Sequence, residues 1–497
     1  MAGVRAFREA FVSAETLDPD EFNDFGARQT RYEIFWSMYE NTVYREIHRW
    51  AKTYKTKYGL YRYVRNIYNP AYRLGEFWKT HLWGGALDLE TQKGTLPIIT
   101  DNEPLRQAIT ALWRWSNWHV RKDIATLYGA VMGDVFLQVV DDVARGKVYL
   151  DVVHPGTVSD ITVDAFGNIK SYKIEESRKS PEKSDQSVTY VETARRGDGQ
   201  VVIFQTYMNG KPYAWNNQAA EWEEPYGFIP MVHVKHNDVG LDWGWSELHP
   251  ARSKMHEMDD VASILSDQIR KTVNVKWLFT GTAKPTSSPS PTGASESTSR
   301  PEPGREEKPA LYAKGTDVKA IPMVAELNIE GTVQHILEIL KDLERDYPEL
   351  KYDALRASGD VSGKALRVAR QPAEAKVLQR RALYDDALVR AQQMAVAIGG
   401  FRSYEGFAGF GLDSYEQGDL DHQIGERPVF AVDSLDELEE DKLFWETAGM
   451  AVKAGAPLDS YLRDSGWDNE RITQFFNSPE YQARLALMQA GMGASNG

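Results

Sequence analysis

The sequence predicts an α+β chain: a body of mixed helix and β-structure, a long antiparallel helix pair, a small α/β insert between those two helices, and a helical C-terminal part. Three observations predict it. Short strands separated by turn residues run from Lys147 to His236, two apolar stripes at helical spacing flank a Pro/Ser/Thr-rich stretch, and helix-period patterns fill most of the chain after Pro372.

From Asp101 to Val140 the pattern is a helix feeding a strand. Leu105, Ile109, Leu112, Trp113, Ser116, Val120 and Ile124 recur at helical spacing, with Asp101 as N-cap and Pro104 in the first turn. After Gly129 and Gly133 the run Asp134 to Val140 turns β-like, and short strands follow, including a hairpin turned by Gly167-Asn168. From Pro250 the positions Ala251, Met255, Met258, Ala262, Leu265, Ile269 and Val273 form one helical stripe. A second, Ile329, Val333, Ile336, Leu337, Leu340, Leu343 and Tyr347, lies between Glu326 and Tyr347. At 1.5 Å per residue each helix is roughly 33 to 36 Å long, so they fit side by side as an antiparallel pair.

Between them stands a strand, Val275 to Phe279, then a Pro/Ser/Thr/Glu-rich loop over 282–310 that cannot bury a core, then the strand-like Leu311 to Met323. Glycines 359 and 363 interrupt the next segment. A long helix from about Pro372 to Ile398, with Ala375, Leu378, Leu383, Leu388 and Met394, ends at Gly399-Gly400. Two or more shorter helices occupy the remainder.

Composition limits the function. A length of 497 residues predicts about three domains or one large body with appendages. Hydrophobic residues at 42% and charged residues at 26% fit neither wholesale disorder nor a membrane protein. No stretch approaches the apolar length of a membrane span, and the opening MAGVRAFREAFVSAETLDPDE has no signal-peptide core, which predicts a soluble cytosolic product. The absence of cysteine removes disulfides, thiol nucleophiles and thiolate metal sites. A net charge of -14 argues against a simple basic DNA-binding module, although a protein that lets DNA slide past also needs weak phosphate contact.

Charge is unevenly placed. Between Tyr44 and Lys79 nine basic residues alternate with tyrosines against two glutamates, which fits either a nucleic-acid surface with stacking rings or an amphipathic face at a subunit contact. From Lys351 to Arg381 the balance is again basic, and the glycines permit a mobile loop touching a polyanion or an ordinary exposed connection. From Asp433 to Glu446 it is acidic, the pattern of a solvated helix face.

Catalytic motifs fail one by one. Gly359 to Ala365 falls one residue short of a phosphate loop and has Ala where Ser or Thr must hold Mg²⁺. Gly244-Trp-Ser246-Glu247-Leu248 lacks the second glycine of a nucleophile elbow. The pairs His233/His236 and His249/His256 lack the spacing of a zinc protease. No catalytic residue, cofactor or metal site is predicted.

The order of features nevertheless resembles that of the portal proteins of tailed bacteriophages from about Asp101 to Gln489. The pieces are Gly129-x3-Gly133-Asp134-Val-Phe-Leu; Phe228-Ile-Pro-Met-Val-His-Val followed by Gly244-Trp-Ser-Glu-Leu; the helix, β-insert, helix sequence; Val361-Ser-Gly-Lys-Ala-Leu; and Leu435 to Leu462 near the end. The resemblance implies a wing over 1–245, a stem of helices 246–273 and 326–347, and a clip over 274–325. It further implies a tunnel loop over 348–371, a long wing helix over 372–400 and a crown over 401–497. It implies a ring of probably twelve copies at one capsid vertex, passing double-stranded DNA during packaging and ejection. Its implied partners are terminase, the major capsid and scaffold proteins, and a head-tail connector or adaptor, with no membrane, the ring being assembled in the host cytoplasm and residing in the virion.

On this reading Lys351, Arg356, Lys364 and Arg367 belong to the tunnel loop and make transient phosphate contacts. Glu338, Lys341, Asp342 and Arg345 face the channel from the stem, where the acidic excess limits adhesion. The alternatives are a carbohydrate-active or other carboxylate-based hydrolase using the aromatic-rich β-region, and another structural virion component.

Overall fold

The computed structural model describes residues 24–44, 67–84, 96–181, 185–215, 219–273, 276–280, 311–313, 319–323, 329–352, 363–430, 434–465, 469–478 and 481–482. They belong to two compact units, Met1–Val429 and Phe430–Gly497. The class is α+β.

In the first unit, helices α1 (Phe25–Tyr39), α2 (Pro70–His81), α3 (Glu103–Ser116) and α4 (Trp118–Leu127) precede the sheets. Asn102, one residue after the predicted cap, accepts from the Leu105 amide at 3.2 Å. The predicted single helix is two, because Asn117 takes a left-handed conformation (φ 50°). That turn redirects the stripe: Leu105, Ile109, Leu112 and Trp113 are buried as expected, whereas Val120 and Ile124 are exposed.

Strands β1 (Ile98–Ile99), β2 (Asp134–Asp142), β3 (Lys147–Val153), β4 (Val158–Val163), β5 (Ile169–Lys179), β6 (Ser187–Arg196), β7 (Val202–Met208), β8 (Lys211–Pro212), β9 (Glu221–Glu224) and β10 (Met231–Lys235) follow. They make a three-stranded antiparallel sheet in the order β10-β2-β3 and a larger antiparallel sheet β4-β5-β6-β7-β8, with β9 also on β7. Asp164 holds the predicted Gly167-Asn168 turn by accepting the Phe166 and Asn168 amides at 2.8 and 2.9 Å.

Helices α5 (Arg252–Val273) and α6 (Ile329–Asp346) flank β11 (Lys276–Thr280), β12 (Leu311–Ala313) and β13 (Lys319–Met323). Those strands form a sheet in the order β12-β11-β13, with no helix among the described residues of the insert. The rest of the insert, including the 282–310 loop, lies outside the described residues.

Helix α7 runs from Gly363 to Phe401, with Pro372 inside it rather than at its start. It packs on β2, β3 and β10. Its buried stripe is Ala373, Val377, Arg380, Arg381, Tyr384, Leu388, Ala391 and Ala395, while the expected Leu378 and Leu383 are exposed. Arg381 is accommodated because its guanidinium donates to the carbonyls of His81, Leu82, Arg427 and Pro428.

Residues 401–429, expected in the crown, belong to this first unit. Helix α8 (Leu412–Gln417) and β14 (Gln423–Ile424) lie there, β14 pairs with β1, and Arg427 makes a bidentate pair with Asp385 at 2.7 and 2.9 Å. The second unit holds α9 (Ser434–Lys453), α10 (Leu458–Asp464) and α11 (Asn469–Phe476), joined by ring contacts of Phe444 with Tyr461 and Trp445 with Phe475.

Candidate functional site

Helices α5 and α6 pack as an antiparallel pair. Met255, Met258, Ala262 and Leu265 share one core with Ile336, Leu343 and Tyr347, and Lys254 near the start of α5 reaches Asp346 at the end of α6, 2.5 Å away. Glu338, Lys341, Asp342 and Arg345 recur at helical spacing on the face of α6 turned away from that core, and all are exposed. Asp342 and Arg345 pair at 3.3 Å. In this exposed setting the pair adds little to stability, so the face is free to interact elsewhere.

A second apolar row runs along α6 between its buried stripe and its charged face. Ile329, Val333 and Leu337, spaced four residues apart, are 44%, 40% and 44% exposed. On α5, Ile264 and Ile269 are exposed in the same degree. Their spacing looks like core spacing in sequence, yet among the described residues they stay outside the shared core of the pair.

The segment expected as a tunnel loop, 348–371, is helical at both of its described ends, and 353–362 lie outside the described residues. Tyr347 follows the end of α6, residues 348–352 make a further helical turn carrying exposed Lys351, and helix resumes at Gly363. Lys364 and Arg367 therefore sit in the first turns of α7 rather than in a loop, and their side chains lie outside the described residues. Arg356 also lies outside them. Pro372 was expected to open the helix because a proline needs no amide partner in a first turn. It is exposed and leaves only the carbonyl of Val368 without its helical donor, on a residue 60% open to water.

At the foot of the helix pair, segments remote in sequence converge. Gly133 (φ 103°) lies against Gly244, whose amide donates to Asp134 at 2.7 Å. Asp134 also accepts from the Tyr32 hydroxyl and pairs with His233, both at 2.7 Å. Glu247, just before α5, faces Lys376 at 2.8 Å and Arg380 and His236 at 3.3 Å. Its backbone carbonyl accepts from Tyr347 at 2.6 Å. Burial alone would raise the Glu247 carboxyl, but the close approach of His236 and the charges of Lys376 and Arg380 outweigh it and hold it below the ordinary range. His236 is buried and kept neutral, its pKa lowered by desolvation, while its Nδ1 meets the Tyr384 hydroxyl at 2.8 Å.

The histidine pairs have structural neighbours. His249 packs on Trp245 and Phe35, and His256 meets the Tyr44 hydroxyl at 2.9 Å. Among the described residues there is no cluster of three His, Asp or Glu able to hold a metal, and no helix long and apolar enough to cross a membrane. Of the basic Tyr-rich stretch, residues 45–66 lie outside the described residues. Its described flanks attach one turn apart on α5: Tyr44 to His256, and the amides of Ile67 and Tyr68 to Asp259 at 3.1 and 2.9 Å. Burial pushes the Asp259 carboxyl up to about 6.

Sequence reasoning did not select Glu349 or the grouping of Glu247, Lys376 and Arg380. No local signal marks Glu349, whose neighbours Asp346, Lys351 and Asp353 read as a solvated stretch, although the side chain is buried. No protein-family model and no curated protein matches the chain.

Proposed function

We propose that the chain is a subunit of a portal-type ring: a non-enzymatic conduit for double-stranded DNA at a capsid vertex, and a docking platform for terminase, for capsid and scaffold proteins and for a head-tail connector. The observation that carries this reading is the second apolar row on the helix pair. An α5–α6 pair that has already buried one stripe within the protomer still presents Ile329, Val333 and Leu337 to water beside a charged face. In a ring of such pairs each apolar row is covered by the next copy, and the charged face of Glu338, Lys341, Asp342 and Arg345 fronts the water-filled channel.

The chain's acidity suits that role. At -14 per copy the ring repels DNA overall, so any phosphate contact by Lys351, Arg356, Lys364 or Arg367 is brief and the duplex keeps moving. The second unit and the β11–β13 sheet are then the crown and clip, with the crown beginning near Phe430.

The paired substitutions Val333→Asp and Leu337→Asp place carboxylates in the row without touching the core of the protomer. Sedimentation of the purified chain is expected to shift from a large closed species to monomer, with circular dichroism unchanged. An unaltered sedimentation coefficient contradicts the assignment of this row to subunit contact.

A further inference from the structure

One ammonium group serves two buried carboxylates where the helix pair joins the body. Lys376 Nζ stands 2.8 Å from Glu247 Oε2 and 2.6 Å from Glu349 Oε1. Glu247 lies on the outgoing chain just before α5, Glu349 on the returning chain just after α6, and Lys376 on α7. Both carboxylate side chains are almost wholly enclosed, at 5% and 0% exposure.

We propose that Lys376 is a latch, fastening both arms of the helix pair to one point on α7 and so fixing the pair's inclination to the body. The proposal does not depend on the conduit reading. Its physical basis is that an enclosed carboxylate is strongly disfavoured when its cation is removed, so loss of the ammonium loosens both seats. Arg380 supplies Glu247 with a second cation, whereas Glu349 is neutralised by Lys376. The returning arm is therefore the one that depends on the latch most.

The latch also has a pH response with a definite sign. The groups that act on Glu349 are Lys376 of α7, Glu247 and Tyr347, and Glu247 in turn faces Arg380 and His236. Burial raises the Glu349 carboxyl above its ordinary value, against the opposing pull of Lys376. A seated Glu349 thus takes up a proton more readily than a released, hydrated one. As pH falls through its raised value toward the ordinary one, the latched arrangement gains on the released one. Glu247 has the opposite shift, so its contribution is lost only at more acid pH.

Hydrogen exchange on the full chain tests the latch. Lys376→Met is expected to speed exchange of amides 247–255 and 347–352 by about ten-fold or more, as loss of a charged hydrogen bond implies, with β5 and β6 unchanged. Lys376→Arg is expected to restore slow exchange. Unchanged rates in Lys376→Met, or equal acceleration in β5 and β6, overturn the proposal.

Should Lys376→Met fail to fold, Glu349→Gln provides the second measurement, because it removes one of the two carboxylates while leaving Lys376 paired with Glu247. Relative to this variant, the thermal midpoint of the unaltered chain is expected to rise as pH falls from about 8 to about 5. A difference that does not vary with pH removes Glu349 from the latch and overturns its pH response.

Discussion

Gly133 and Gly244 meet backbone to backbone, and no other residue type fits either place. A Cβ at Gly133 would stand 2.6 Å from the Gly244 carbonyl oxygen, and the residue's φ of 103° is itself the preserve of glycine. Gly244→Ala is expected to cost about 1–3 kcal/mol, the usual range for overpacking a tight site, because the added methyl pushes the Gly244 amide off Asp134. Urea unfolding measures it, and an unchanged midpoint contradicts this close approach. Each glycine is legible in sequence as part of a short motif. That the two motifs touch is not legible, since nothing local to either encodes the other. Arg380 and Arg381 show the opposite failure: sequence reasoning assigns arginine to solvent, but carbonyls from distant turns and the Glu247 carboxylate make a buried site for these two.

The elements were read best where periodicity was long and one-sided. The α5 stripe and the strands from Lys147 to His236 came out nearly as expected. Errors gathered at punctuation: Asn117 breaks a helix that the apolar spacing carried through, and Pro372 fails to begin one. Asn117 follows its own local preference for the left-handed cap, which the apolar spacing hides, whereas at Pro372 the helix continues through a local breaker. In α7 the exposed proline costs one backbone hydrogen bond, so Pro372→Ala is expected to stabilise the chain by up to about 3 kcal/mol. A differential scanning calorimetry midpoint below that of the unaltered chain contradicts a continuous helix through this position. The exposed row on α6 explains why the second stripe looked uniformly core-like: seven apolar positions were legible, but the division between those buried in the protomer and those left open was not.

For the whole molecule, the division at Phe430 leaves Arg402 and Arg427 in the larger unit, where Arg402 pairs with Asp141 at 2.8 Å and Arg427 with Asp385. Composition carried no sign of this. Net charge, by contrast, is fully legible, and under the proposed ring reading -14 per copy would suit a passage that does not hold DNA. The partly exposed apolar row of the helix pair, the adjacent charged face and the acidic total are what support the proposed ring. Electron microscopy of the purified chain tests that arrangement most directly: a ring of about a dozen copies around an axial hole wide enough for a duplex is the expected image, and a field of compact monomers or dimers without a hole contradicts it.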